Sequence, residues 1–243
     1  MTAVPVISYH RLRPDSPCRR CIIDPGTYLG YYWPSIIDGL LQHLLIVFLS
    51  IPFSILVSVP IGIAISPHPR LKHIVLTITS FLMTIPSLAL FGLMVVVLGP
   101  LGLGIGKAPA VIAIIIYSLL PIIRNTVLAL AQVPSKTIEA ARGIGYTKAQ
   151  TILRIMLPLS IPVIMAGVRN SVVLGIGVAC YASLVGSGGL GYFIFSGIGR
   201  ANFYMICTGA ILVSALAIGA NYVLLRLEDL LTPRGLKAGK KAK

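Results

Sequence analysis

VPSKTIEAARGIGYTKAQTILRIMLP, residues 133–158, is a polar island between two long apolar stretches. Its local pattern predicts two short helices rather than an open loop. Pro134 suits a first helical position, where its missing N–H deprives nothing of a partner. Ile138 and Ala141 then share one face, and Gly143 or Gly145 supplies the left-handed backbone that closes the helix. Thr147 and Gln150 stand at capping-box spacing, so a second helix starts there. Its apolar stripe is Ile152, Ile155 and Met156, and Pro158 is expected to end it. The expected product is a helix–turn–helix knob whose outer face mixes small residues with one acid, Glu139. Such a face suits insertion into a groove on a partner.

The flanks explain what the knob projects from. A bilayer core of about 30 Å needs about 20 helical residues. Five segments reach that length, at roughly 41–66, 74–98, 108–130, 159–181 and 203–226. Hydrophobic residues make up 56% of the chain and charged ones 11%, less than half the usual charged share of a soluble domain. The fold class is therefore all-α integral membrane protein, with about five transmembrane helices. Residues 1–38 form an extracytoplasmic segment with interfacial aromatics Tyr31, Tyr32 and Trp33, residues 39–232 the membrane domain, and residues 233–243 a basic tail.

Charge sets the expected orientation and excludes several functions. Placing the knob in the cytoplasm gives that side thirteen Lys and Arg residues and the other side six, which favours N-terminus out and C-terminus in. The formal charge of +14 is thus distributed as topology signals between apolar runs, not as a nucleic-acid face. No basic n-region with a cleavage site opens the chain, so the first span is expected to serve as the targeting signal. Between residues 39 and 227 the sole carboxylate is Glu139. No catalytic residue is assigned. Cys180 and Cys207 lie in apolar stretches and read as packing. Cys18 and Cys21 form a lone CxxC that no further ligands complete, so no metal site is assigned. A disulfide, or a membrane redox protein using that pair, stays as an alternative of another class.

Arg169 stands apart. It lies roughly 16 Å of helix beyond Pro158, a cation well inside the membrane that must face protein or a wet cavity. It reads either as a structural or subunit contact or as part of the solute path.

Glu139-Ala140-Ala141, three residues, Gly145, nine residues, then Ile155-x-Leu157-Pro158 resembles the EAA loop of ABC importer permeases at every fixed position and in both spacings. The resemblance implies a type I importer permease in a bacterial inner membrane. It implies that Glu139, Ala140, Ala141, Gly145, Ile155, Leu157 and Pro158 form the coupling loop seated on an ATPase subunit. ATP and Mg would then belong to two partner ATPase chains, with no cofactor here. A second permease copy or paralogue, an extracytoplasmic substrate-binding protein and membrane lipid complete the implied partners. Thr84–Gly92 (TIPSLALFG), Ser118–Thr126 (SLLPIIRNT) and Pro162–Arg169 (PVIMAGVR) are similar to the osmoprotectant branch, which carries glycine betaine, carnitine or choline. Ala179-Cys180-Tyr181-Ala182 departs from that branch's Ala-Thr-x-Ala. Methionine, another amino acid or a different small solute is the alternative cargo.

Two further stretches bear on the path. Gly186-Ser187-Gly188-Gly189-Leu190-Gly191 satisfies GxGxxG, yet no strand precedes it and no acid follows about 20 residues on, so it is no dinucleotide site. In the permeases it resembles, this segment shapes the outer end of the pathway, which makes Gly188 and Gly189 path or gate candidates. Pro86 inside the second span is expected to kink it, as helices do along a pathway.

Overall fold

The computed structural model describes residues 25–232, with side chains from residue 30 onward. Cys18, Cys21, the N-terminal arginines and the basic tail lie outside the described residues. Contacts divide the chain at Pro34 into Met1–Pro34 and Ser35–Lys243. The second unit holds every site discussed below.

All regular elements among the described residues are helices: α1 Pro25–Ile65, α2 Pro69–Thr84, α3 Ser87–Leu98, α4 Lys107–Ala131, α5 Ser135–Gly143, α6 Lys148–Thr151, α7 Leu157–Ala179, α8 Gly191–Gly199 and α9 Phe203–Leu231. Four helical stretches, 30–65, 107–131, 148–185 and 203–231, are long and apolar enough to cross a membrane. The bent pair α2 and α3 passes the same test jointly.

Small residues fix which helices touch and in which direction. Gly62 of α1 lies against Thr126 of α4, while Gly175 of α7 lies between Ile114 of α4 and Ile51 of α1. Residues 51 and 62 of α1 thus run alongside 114 and 126 of α4, so the two helices are parallel. The chain must return between them. The segment between Ser66 and Gly106, which contains α2 and α3, makes that return, and the crossings among the described residues number five. Helix α7 runs against α4: Gly167 packs on the Pro121 carbonyl and Asn125, and Ser171 Oγ donates to the Ser118 carbonyl at 3.3 Å. Close approach through Gly and Ser is how helices associate where lipid removes the hydrophobic drive between them. Four buried hydroxyls are satisfied within their own helices, as Ser50, Ser54, Ser118 and Thr126 donate to carbonyls four residues back.

The second span differs from expectation. Instead of one kinked helix over 74–98, α2 and α3 meet at 96°. Ile85 is extended (φ −62°, ψ 126°). A residue before proline is pushed out of the α region, and Pro86 has no N–H to carry the ladder onward. The Tyr117 hydroxyl of α4 donates to the Ile85 carbonyl freed by the break.

The knob also differs at its second helix. Pro158 does not end it, because α6, a π-helical stretch Ile152–Met156 and α7 follow without a break. The Leu157 N–H donates to the Ile152 carbonyl, five residues back. That wider turn falls where the proline ring would otherwise crowd the preceding carbonyls, leaving Pro158 in the first turn of α7.

Candidate functional site

The residues singled out from the sequence lie mainly at two ends of the structure. At one, α5 and α6 stand at an exposed corner made by Gly145, whose φ of +90° belongs to the left-handed region. Gly145, not Gly143, is the turn residue. The capping box is complete: Gln150 N–H donates to Thr147 Oγ1 at 3.3 Å, and Thr147 N–H donates to Gln150 Oε1 at 2.9 Å. Ala141 is buried and Ile138 half-buried against the body, whereas Glu139, Ala140 and Gly143 are exposed. Ile144 caps the corner at 75% exposure. Ile155, Leu157 and Pro158 are half-buried in the stalk beneath. A cavity of about 380 Å³, lined by Ile63, Pro67, Ile138, Arg142, Ile152 and Met156 among others, separates the knob from the end of α1.

At the opposite end the Gly-rich segment folds over α1. Gly186, Gly188 and Gly189 all have positive φ, at 76°, 74° and 94°. The Gly189 N–H donates to Gln42 Oε1 at 3.0 Å, and Gln42 Nε2 donates to Asp38 Oδ2 at 2.8 Å. A Cβ at Gly188 would collide with the Gln42 amide. Next to it, fully buried His43 places Nε2 at 3.1 Å from the Ile176 carbonyl of α7. That nitrogen therefore carries the proton. Its Nδ1 has no hydrogen-bond partner among the described residues and lies beside Gly189. Gln42 and His43 were not singled out from the sequence. The signal was there, as two polar residues side by side in a run free of Asp, Glu, Lys and Arg. Pro86 lies at the break between α2 and α3, exposed and apart from both ends.

Arg169 belongs to neither end. Its Nη1 is 3.2 Å from Glu228 Oε2 on α9, three residues before that helix ends. A helical side chain leans toward its helix's N-terminus, here the knob end. The charge is thus displaced from mid-span toward the end of α9, shallower than the position along the helix implied. Glu228 was not singled out from the sequence. Beside the pair is a cavity of about 470 Å³ between α4, α7 and α9, lined by Asn125, Arg169, Asn170 and Asn221 together with small and aliphatic residues. No group of three His, Cys, Asp or Glu side chains able to hold a metal occurs among the described residues.

Residues 54–236 match the family described as binding-protein-dependent transport system inner membrane component. The osmoprotectant import permease protein OsmW of Salmonella typhimurium strain LT2 is 43% identical over 81% of this chain and 91% of its own length. The choline transport system permease protein OpuBB of Bacillus subtilis strain 168 is 39% identical over 81% and 88%. Among solved structures, the MetNI methionine ABC transporter in an inward-facing conformation superposes with a TM-score of 0.74, covering 84% of this chain and 99% of that one at 23% identity. An amino acid ABC transporter superposes at 0.64 and 20% identity. At those identities the solved structures speak to the fold alone.

Proposed function

The chain belongs to the family of binding-protein-dependent transport system inner membrane components, and on that footing we propose that it passes quaternary ammonium osmoprotectants such as glycine betaine, carnitine and choline inward. The observation that carries the cargo is identity of 43% across nine-tenths of an osmoprotectant permease. Methionine has support only from a shared fold.

In this reading the chain performs no chemistry of its own. An extracytoplasmic binding protein delivers the solute to the Gly-rich end, and two ATPase subunits grip the knobs of two permease chains. Glu139, Ala140 and the open Ile144 side chain form the docking face, while Gly145 sets the angle at which the face is presented. The continuous helix from Lys148 to Val185 gives the knob a rigid lever: a displacement at the corner is carried along α7 toward the Gly-rich segment that follows it. Thirteen basic residues against six support placing the knob and C-terminus in the cytoplasm and the Gly-rich end outside.

Reconstitution with the cognate ATPase and binding protein tests the cargo. ATP-dependent uptake of labelled glycine betaine, carnitine or choline is expected, and none of methionine. Uptake of methionine with none of the three ammonium solutes would overturn the assignment.

A further inference from the structure

We propose that the cavity between α4, α7 and α9 is a station for a zwitterionic solute, in which Arg169, on the cavity wall, receives the carboxylate, and Glu228, its ion-pair partner just beyond the lining, takes the quaternary ammonium group as the pair opens. The proposal rests on the osmoprotectant reading above and adds the site within this chain that tells one osmoprotectant from another.

Polar groups converge here from three helices: Asn125 from α4, Arg169 and Asn170 from α7, and Asn221 from α9 line about 470 Å³. Arg169 and Glu228 form the sole ion pair among the described residues. It is a loose one. A single Nη1 to Oε2 contact at 3.2 Å joins them, longer than the 2.7–2.9 Å of a tight charge-assisted bond. The rest of the guanidinium makes no other hydrogen bond among the described residues. Their side chains are 29% and 15% exposed, so neither is sealed.

A pair of this kind is complementary to a zwitterion. Glycine betaine and carnitine carry a carboxylate that the planar guanidinium fork can take through two N–H bonds, and a trimethylammonium group that has only charge to offer Glu228. On entry the solute exchanges one salt contact for two and leaves neither protein charge unpaired, which is the condition for holding charge in a poorly solvated place. No aromatic ring lines the cavity. The cation is therefore held by charge without a cage, and the solute is retained weakly enough to move on. Choline has the cation but no carboxylate, so it engages Glu228 and ignores Arg169.

The competing account makes the pair a clasp between α7 and α9 that touches no solute. Both are separated by maximal uptake rates, with saturating binding protein, for glycine betaine, carnitine and choline. Arg169→Gln is expected to lower uptake of glycine betaine and carnitine about tenfold relative to choline in the same variant, the worth of one charge-assisted hydrogen bond. Glu228→Gln is expected to lower all three. Should Arg169→Gln not accumulate in the membrane, Arg169→Lys decides: it keeps the charge and the clasp but loses the fork, so only the two carboxylate-bearing solutes should slow. Equal loss of all three solutes in the Arg169 variant, or loss of none, overturns the proposal. If the wild-type protein carries none of the three, the osmoprotectant reading itself has failed.

Discussion

Gly191 faces the carbonyl of Cys180 so closely that any Cβ would overlap that backbone. A peptide group cannot swing aside as a side-chain tip can, so Gly191→Ala must push α8 away from the stretch that follows α7. Overpacking of this kind costs about 1–3 kcal/mol. The purified variant should unfold several degrees below wild type in a detergent thermal scan. Gly177→Ala is the control, because a Cβ there meets nothing within 4 Å and helix propensity favours alanine; its melting temperature should not fall. The need for small residues in the Gly-rich segment was legible in its composition. Their neighbours were not. Nothing in the order of residues says that Gly189 meets Gln42, or that Arg169 meets Glu228, since those pairs lie 147 and 59 positions apart. Periodicity predicts which face a residue occupies and is silent on what lies opposite.

At the scale of elements, the break between α2 and α3 depends on α4. The Ile85 carbonyl has lost its helical donor, and the Tyr117 hydroxyl supplies one. In an apolar surround a carbonyl left without a partner costs about 1–3 kcal/mol. Tyr117→Phe keeps the ring in its packing and removes only the hydroxyl. Faster amide hydrogen exchange through residues 81–90, with exchange in α7 unchanged, is the expected result; unchanged exchange in 81–90 would mean the bond does not hold the break. Pro86 announced a disturbance of the second span in the sequence, but its size did not follow. A proline kink and a 96° break share the same local cause and differ in whether a neighbour can accept the freed groups. The same reasoning covers Pro158. Proline ends a helix unless a π turn makes room, and the stretch ILRIM gives no sign of one beforehand. By contrast, the Thr147 and Gln150 capping box and the corner at Gly145 were legible because both are governed by residues within a few positions of each other.

Among the described residues the whole molecule comes to five crossings, with the bent pair counted as one. Hydropathy alone finds the apolar stretches. The parallel packing of α1 on α4 makes the bent pair a true crossing, and this puts the knob and the Gly-rich segment at opposite ends of α7. The central claim is that solute moves because a partner ATPase grips the knob. Its most direct test is ATP-dependent uptake of labelled glycine betaine into proteoliposomes containing the ATPase, the binding protein and either wild-type permease or Glu139→Lys or Ile144→Glu. Both side chains are exposed, so the variants should insert and melt like wild type. Uptake should fall by about tenfold or more, as expected when one exposed anchor of a small docking surface is replaced by a mismatched charge. Wild-type uptake from both variants would contradict the account.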